Sequence, residues 1–484
     1  MSMQLENGDL LLTHGWINGA EVAADSSFAV FDPATLAVVA EVSDLRATHA
    51  HDAITAATAA FQQWRAKPLQ ERVSIVLAWA NLIEANADDL GRIICRENGK
   101  PLREAQGEAR QCAALMRWFA DAIPEACGVS VPRGSGEQRN YTIKQPVGVV
   151  ACITPWNFPA AAVAVKTGAA ILSGCTTIVK PSEETPLIAL ALAKLSHDAG
   201  LPAGVLNVIP CKNPAEVGAE LCQSSDVRML SFTGSTRVGK QLYSACGDTV
   251  KRLALELGGN APFVVFDDAD MDKAIAAATG ARFYNSGQIC VGANRFLVHK
   301  KIYADFATQF AQRVSAMSAG NGLDEASDIG PMINRAAVNR LNHLIDNATK
   351  LGAEVLTGGR QDDNETLFFE PTVLSKMTPD MAAYQTEVFG PVACLYEFDS
   401  EEQALEMAND TDAGLSAYIF GADQERLLRC SEALEAGVIG ANSSNIFAND
   451  LPFGGIKQSG LGREHGLESL DEFVESKSIC LGSQ

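Results

Sequence analysis

The sequence predicts an α/β fold organised on a doubly wound parallel sheet, and three features predict it. From residue 147 onward, short β-type runs (GVVACIT, TTIVK, VLNVIP, RMLSFTG) alternate with helical patterns at 160–173, 186–199, 214–224 and 236–245. Repeated βα units of this kind make a parallel sheet whose strand ends commonly receive nucleotides. A chain of 484 residues is long enough for two or three domains with a large core. Its 47% hydrophobic and 20% charged content is that of an ordinary globular protein.

In chain order, residues 14–45 read as short strands and turns, a strand pair that opens the chain. A helical layer follows at 52–65, 69–97 and 101–127, where apolar residues recur at helical spacing with Glu, Arg and Lys between them. Residues 128–145 alternate and are turn-rich, which suits an extended arm or hairpin. Beyond the βα region, Gly258 and Gly259 make a hinge into NAPFVVF. A second alternating region then runs to about residue 452, with helices near 271–284, 301–316, 335–351 and 401–409. The tail at 473–481 alternates again and is a candidate strand partner for the 128–145 arm. No internal repeat or low-complexity stretch is evident.

Composition narrows the function. A net charge of −21 opposes nucleic acid or an anionic membrane surface as the main partner. Twelve dispersed cysteines without CxxC spacing, and no cationic start followed by an apolar run, fit a reduced, cytoplasmic setting. The tight pair His49/His51 lies in a polar stretch ahead of the first helix and reads as a solvated turn, so no metal site is expected. The apolar region 147–179 is interrupted by Pro155, Pro159 and Lys166, which argues for core elements against a membrane span.

Candidate chemistry centres on FYNSGQICVGAN, where Cys290 stands among small residues that leave its sulfur accessible. A nucleophilic thiol needs a lowered pKa, a nearby base, or both, whereas a lone cysteine is more often simply packed. In ITPWNFP, Asn157 sits in a turn stiffened by Pro155 and Pro159; its amide suits donation to an oxyanion, and equally a helix cap. In KPSEETP, Lys180 and Glu183 follow a strand, where they suit ribose hydroxyls and repel a 2′-phosphate, although a capped helix start reads the same. Ser231 to Gly239, SFTGSTRVG, is a strand, turn and helix start suited to pyrophosphate, without G-x-G-x-x-G spacing. Glu256 ends a strand before two glycines; desolvation would raise its pKa toward that of a useful base. The stretches QTEVFGP and LPFGGIKQSGLGRE add turns that are not diagnostic alone.

Taken in order, ITPWNFP, KPSEETP, FTGSTRVG, LELGGNAPF, GQICVGANR, EVFGP and PFGGIKQSGLGRE resemble the NAD(P)-dependent aldehyde dehydrogenase superfamily over essentially the whole chain, and its succinate-semialdehyde branch most. The resemblance implies an aldehyde dehydrogenase-like fold: an NAD(P)-binding domain from 1–127 and 147–257, a catalytic domain at 258–464, and an oligomerisation arm from 128–146 and 465–484. It implies that Cys290 attacks the aldehyde, that Asn157 and the Cys290 N–H hold the oxyanion, and that Glu256 activates the hydrolytic water. Lys166 and Glu464 match proton-relay positions. Lys180, Glu183 and Ser235 match the groups that hold the adenosine ribose and pyrophosphate, and Glu387 and Phe389 those that position the nicotinamide ribose and ring. The implied cofactor cleft also takes in Ile153, Thr154, Pro155 and Trp156, then Ser182, Gly218, Phe232, Gly234 and Leu257. NAD is the preferred cofactor, with NADP used more weakly because of Glu183; the partner is a small-molecule aldehyde, and the assembly a homodimer or homotetramer.

The match fails at the substrate tail. Branch members hold the succinate carboxylate with two arginines and a serine, and counting from the motifs puts Val165, Tyr284 and Phe447 at those places. The branch's second cysteine, two after the nucleophile, is Gly292 here. These replacements favour an uncharged or aromatic aldehyde on physical grounds, while the branch resemblance favours a semialdehyde. Two other readings stay open: a cysteine esterase or thioesterase without a redox role, which needs a histidine near Cys290 (His299 is nearest in sequence), and a CoA-acylating variant, which Glu256 opposes. A catalytically silent member of the fold would be expected to lack Cys290, Glu256 or Asn157.

Overall fold

A computed structural model of the protein describes residues 5–123, 130–131, 138–359 and 365–482. Two large sheets organise it. The first runs in the order Ala20–Val22, Gly15–Ile17, Leu206–Val208, Thr176–Lys180, Val149–Ile153, Val227–Thr233, Arg252–Glu256 and Gly460–Leu461. Its five central strands are parallel, and antiparallel strands close both edges. The strand Val149–Ile153 is buried at every position, as expected for a parallel strand covered on both faces. Among its covering elements is the helix Pro159–Ser173, which starts on a proline and is buried along most of its length, Lys166 included.

The second sheet runs Glu354–Thr357, Thr372–Ser375, Val392–Phe398, Arg295–His299, Pro262–Val265, Ser416–Phe420 and Val438–Ala441, parallel except at the first pair. The expected tail strand forms. Val474–Gly482 pairs antiparallel with Gln138–Pro146 along nine residues, and Ser130–Val131 adds a third strand. The helix expected at 101–127 is observed as Leu102–Ala122, and the end of that expectation, with residues 128–129 and 132–137 of the expected 128–145 arm, lies outside the described residues.

Two sequence expectations need correction. The helical run at 69–97 is two helices, Leu69–Ala85 and Ala87–Asn98, broken at Asn86, whose side chain turns back to donate to Leu82 O at 2.8 Å. Asn competes for backbone partners in this way and so favours helix ends. The His49/His51 pair is not in a turn, because the first helix begins earlier, at Ala47–Ala66. His49 Nδ1 accepts the Arg46 N–H at 3.1 Å as part of the helix cap, and His51 faces Glu220 at 3.5 Å. Among the described residues no helix is long and apolar enough to cross a membrane, and no three His, Cys, Asp or Glu side chains are grouped to hold a metal ion.

Candidate active site

The first sheet's strands Val227–Thr233 and Arg252–Glu256 end at a cavity of about 640 Å³, which Tyr418 of the second sheet also lines. Cys290, Glu256, Asn157 and Glu464 all line it, and so do Val165, Tyr284 and Phe447. The nucleophile loop reaches this place through a strained approach. Asn285 and Ser286 hold φ near +48° and +56°, and Gly287 follows at +72°. A Cβ on Gly287 would lie 2.2 Å from Gly390 O, so glycine is required there by space as well as by angle. Left-handed non-glycine residues cost about 1–3 kcal/mol each and persist only when neighbours hold them. Here Asn285 N donates to Glu104 at 2.9 Å and Ser286 Oγ to Gly330 O at 2.8 Å.

Glu256 meets Cys290 because Gly259 lacks a side chain: a Cβ there would lie 2.4 Å from Cys290 O. The Cys290 thiol and the Glu256 carboxyl stand close enough to act on each other's titration. Burial first and Glu464 second raise the Glu256 pKa to about 8, against the downward pull of the Cys290 thiol and Lys166. Burial also pushes the Cys290 thiol well above its ordinary range, with Glu256 the next cause. The resting cysteine is therefore a thiol beside a base rather than a preformed thiolate. Glu256 Oε1 is buried and accepts no hydrogen bond, which leaves an acceptor in reserve.

Asn157 Nδ2 donates to Gln288 O at 3.1 Å, which fixes the amide plane and leaves its second hydrogen for a ligand. Lys166, buried in the helix Pro159–Ser173, pairs with Glu464 at 2.5 Å and with Ser231 Oγ at 3.1 Å. The pair adjoins Glu256 closely enough to act on its charge.

The residues expected to hold a dinucleotide lie at the ends of the first sheet's strands. Ile153 and Thr154 end one strand, and Thr154 N donates to Lys180 O at 3.1 Å. Lys180, almost wholly buried, reaches Glu183 at 3.3 Å beside Ser182. Ser235 caps the helix Thr236–Ala245 immediately after Phe232 and Gly234. Thr233 Oγ1, buried between them, has no partner. Gly218 lies in the neighbouring helix Pro214–Gln223, and Leu257 packs over Gly239. Nearer the cavity, Pro155 lines the wall, and the Trp156 ring meets Phe389 edge-on at 5.6 Å. Phe389 O accepts from Arg340 at 3.2 Å, and Glu387 accepts the Gly259 N–H at 3.1 Å. Burial raises the Glu387 pKa to about 7. A buried cation beside a carboxylate, a helix start and an orphaned hydroxyl fit a nicotinamide dinucleotide.

The aldehyde dehydrogenase family model matches residues 19–479. The chain belongs to the aldehyde dehydrogenase family. This aldehyde dehydrogenase is 44% identical to the mitochondrial succinate-semialdehyde dehydrogenase of Mus musculus over 98% of its own length and 92% of that protein's. It is similar to a solved structure described as an E. coli NADP dependent enzyme, with a TM-score of 0.98 at 42% identity, covering 99% and 100% of the two chains. The betaine aldehyde dehydrogenase of Staphylococcus aureus, solved in complex with NAD+, superposes with a TM-score of 0.95 at 32% identity, covering 98% and 95%. The protein is thus an NAD(P)-dependent oxidoreductase that acts on aldehydes.

Four residues of the enzyme's site carry no signal as site residues in the motifs above: Lys100, Glu108, Asn285 and His465. Glu108 and His465 line the cavity, while Lys100 and Asn285 sit behind Asn157. Glu108 is the one that helical spacing could have found, since it shares the apolar face of its helix with Ala105, Cys112 and Leu115. His299, the histidine considered for a hydrolase, is absent from the cavity wall and packs on Phe398 instead.

Proposed function

We propose that this aldehyde dehydrogenase oxidises an uncharged, aromatic aldehyde to the acid through a thioester on Cys290, with NAD preferred over NADP. One observation carries the substrate class: among the described residues the cavity wall holds Glu108, Glu256 and Glu464 but no lysine or arginine. A carboxylate-bearing tail would enter a chamber whose wall offers it no cationic partner, at a cost of about 3 kcal/mol or more. Aromatic rings line the chamber instead. Phe158 and Tyr284 stack at 6.0 Å, and Phe447 and Phe453 meet tilted at 5.0 Å, with Val165 completing an apolar surface. A second reading, a semialdehyde substrate, is favoured by the 44% identity to the mouse enzyme.

The chemistry follows from the groups present. The Cys290 thiol gives its proton to Glu256 as sulfur bonds to the carbonyl carbon, and the carbonyl electron pair moves to oxygen, where Asn157 Nδ2 and the Cys290 N–H donate. A bound oxidised nicotinamide supplies a hydride acceptor and a positive charge. Loss of hydride from the carbon leaves the thioester. Lys166 and Glu464 carry the thiol proton away from Glu256, which then takes a proton from water as its oxygen adds to that carbon. Sulfur departs as thiolate and recovers the proton held on Glu256, and the acid is released. A negative Glu183 beside Lys180 supports NAD, since it would repel a 2′-phosphate.

The same reading takes Tyr284, Phe447 and Val165 as substrate-contacting residues. It also includes a homodimer or homotetramer built on the sheet of Gln138–Pro146 and Val474–Gly482, whose outer strand is largely exposed. A cytoplasmic setting suits the free thiols of the described cysteines. The test is NADH formation with a panel of aromatic, aliphatic and carboxylated aldehydes against both cofactors. Preference for carboxylated aldehydes would overturn the substrate class.

A further inference from the structure

Three chain segments meet behind the Asn157 amide. The helix Ala87–Asn98 ends on Gly99, at φ +94°, and the turn presents Asn98 and Lys100 to the loop that carries Asn157. Asn98 Nδ2 donates to Trp156 O at 2.9 Å, and Lys100 Nζ donates to Asn157 O at 2.8 Å. Lys100 also pairs with Glu108 at 2.6 Å and stands 4.0 Å over the Phe158 ring. The other Glu108 oxygen accepts the N–H groups of Ala160 and Ala161 at 2.9 and 3.1 Å. From the opposite side, Asn285 Nδ2 donates to Asn157 O at 2.9 Å and to Gln288 O at 3.1 Å, the oxygen that the Asn157 side chain also uses.

Lys100 is 1% exposed and Glu108 4%. A buried ion pair is often no more stabilising than an apolar pair of the same volume, so stability alone is a weak reason for one here. Its bonds instead converge on the main chain around Asn157, from Trp156 O to Ala161 N. The side-chain amide can meet a developing oxyanion only if this stretch of main chain is fixed, because a misplacement of about 1 Å costs on the order of 100-fold in rate.

We infer that Lys100, braced by Glu108 and Asn98, is a positioning residue that sets the Asn157 amide at the reacting carbonyl oxygen. The inference rests on the function proposed above, in which Asn157 is an oxyanion donor. Lys100 does not line the cavity, and it acts through the main chain at Asn157.

A double-mutant cycle on the full-length enzyme tests this, read as steady-state NADH formation at saturating NAD. Asn157→Ala is expected to lower kcat by about 100-fold, the usual effect of losing one oxyanion donor. Lys100→Met is expected to lower kcat by about tenfold or more with KM changed less than about twofold, the split that marks an interaction made in the transition state. The double variant is expected to match Asn157→Ala within about twofold, because the two act as one unit. Losses that multiply would overturn the inference. Full turnover by Asn157→Ala would instead overturn the reading of the site. If thermal melts show that Lys100→Met does not fold, Asn98→Ala, which leaves the ion pair intact, runs the same cycle: a double variant that matches Asn157→Ala supports the inference, and losses that multiply overturn it.

Discussion

The Asn157 side chain donates to the main-chain oxygen of Gln288 at 3.1 Å, two residues before Cys290. The bond joins a loop of the first sheet to the nucleophile loop beside the second, so the oxyanion donor and the sulfur are held by one contact. With one amide hydrogen committed, the other has a fixed direction. Geometry of this kind lets electrostatic stabilisation act without reorganisation at the moment of reaction.

Replacing the nucleophile should remove turnover. Cys290→Ala is expected to lose on the order of 10⁴-fold or more in aldehyde oxidation, since no other group supplies the covalent step. Stopped assays following NADH, with thermal melts to confirm the fold, check this. Full activity in the variant would remove the thioester route.

Turnover should rise with pH through the titration of Glu256. Its carboxyl is raised to about 8, by burial first and Glu464 second, and a base works only in its deprotonated form. Below this value Glu256 is protonated and hydrolysis slows. Glu464→Gln removes a negative neighbour, so the midpoint of the kcat profile should move to lower pH. Stability carries the opposite sign. A carboxyl raised on folding favours the folded state less as pH climbs from its ordinary value toward 8. Glu256→Gln should therefore gain in melting temperature relative to the native chain over that window, as measured by calorimetry at several pH values.

Aromatic aldehydes should outrank carboxylated ones. The missing cationic anchor predicts that kcat/KM for benzaldehyde exceeds that for succinate semialdehyde by roughly 100-fold or more, from about 3 kcal/mol of unpaired charge. Tyr284, 37% exposed at the cavity mouth, has room for exchange, and Tyr284→Arg should narrow the gap. An unchanged ranking would show that the mouth does not select the tail.

Cofactor choice should follow Glu183. Removing its charge beside Lys180, as in Glu183→Ala, should raise the NADP to NAD ratio of kcat/KM by about tenfold, through loss of repulsion at a partly exposed site. Initial rates with both dinucleotides measure it.

Much of the fold and site is legible in the sequence because the chemistry sits in short contiguous stretches. Cys290, Glu256, Asn157 and Glu464 each lie at a strand end or turn marked by nearby glycines or prolines, and all four converge on the cavity. The alternation of β and helical patterns likewise locates the parallel strands to within a few residues. What stays hidden depends on contacts distant in sequence. Lys100 reads as the polar exit of a helix, and only folding brings it 57 residues along the chain to Asn157 O. Asn285 gives no periodic signal because it lies in a left-handed turn. The break at Asn86 is invisible because apolar spacing continues across it, while the capping contact that ends the helix does not register in a hydrophobic pattern.

The convergence of sulfur, carboxylate and amide on one carbonyl carbon is tested most directly by the intact mass of Glu256→Gln after mixing with aldehyde and NAD. The account predicts slow formation of no more than about one NADH per active site and an acyl group left on Cys290, since loss of the Glu256 base slows thiol attack and stalls hydrolysis. NADH formed without an acyl adduct, or an adduct on another residue, would contradict it.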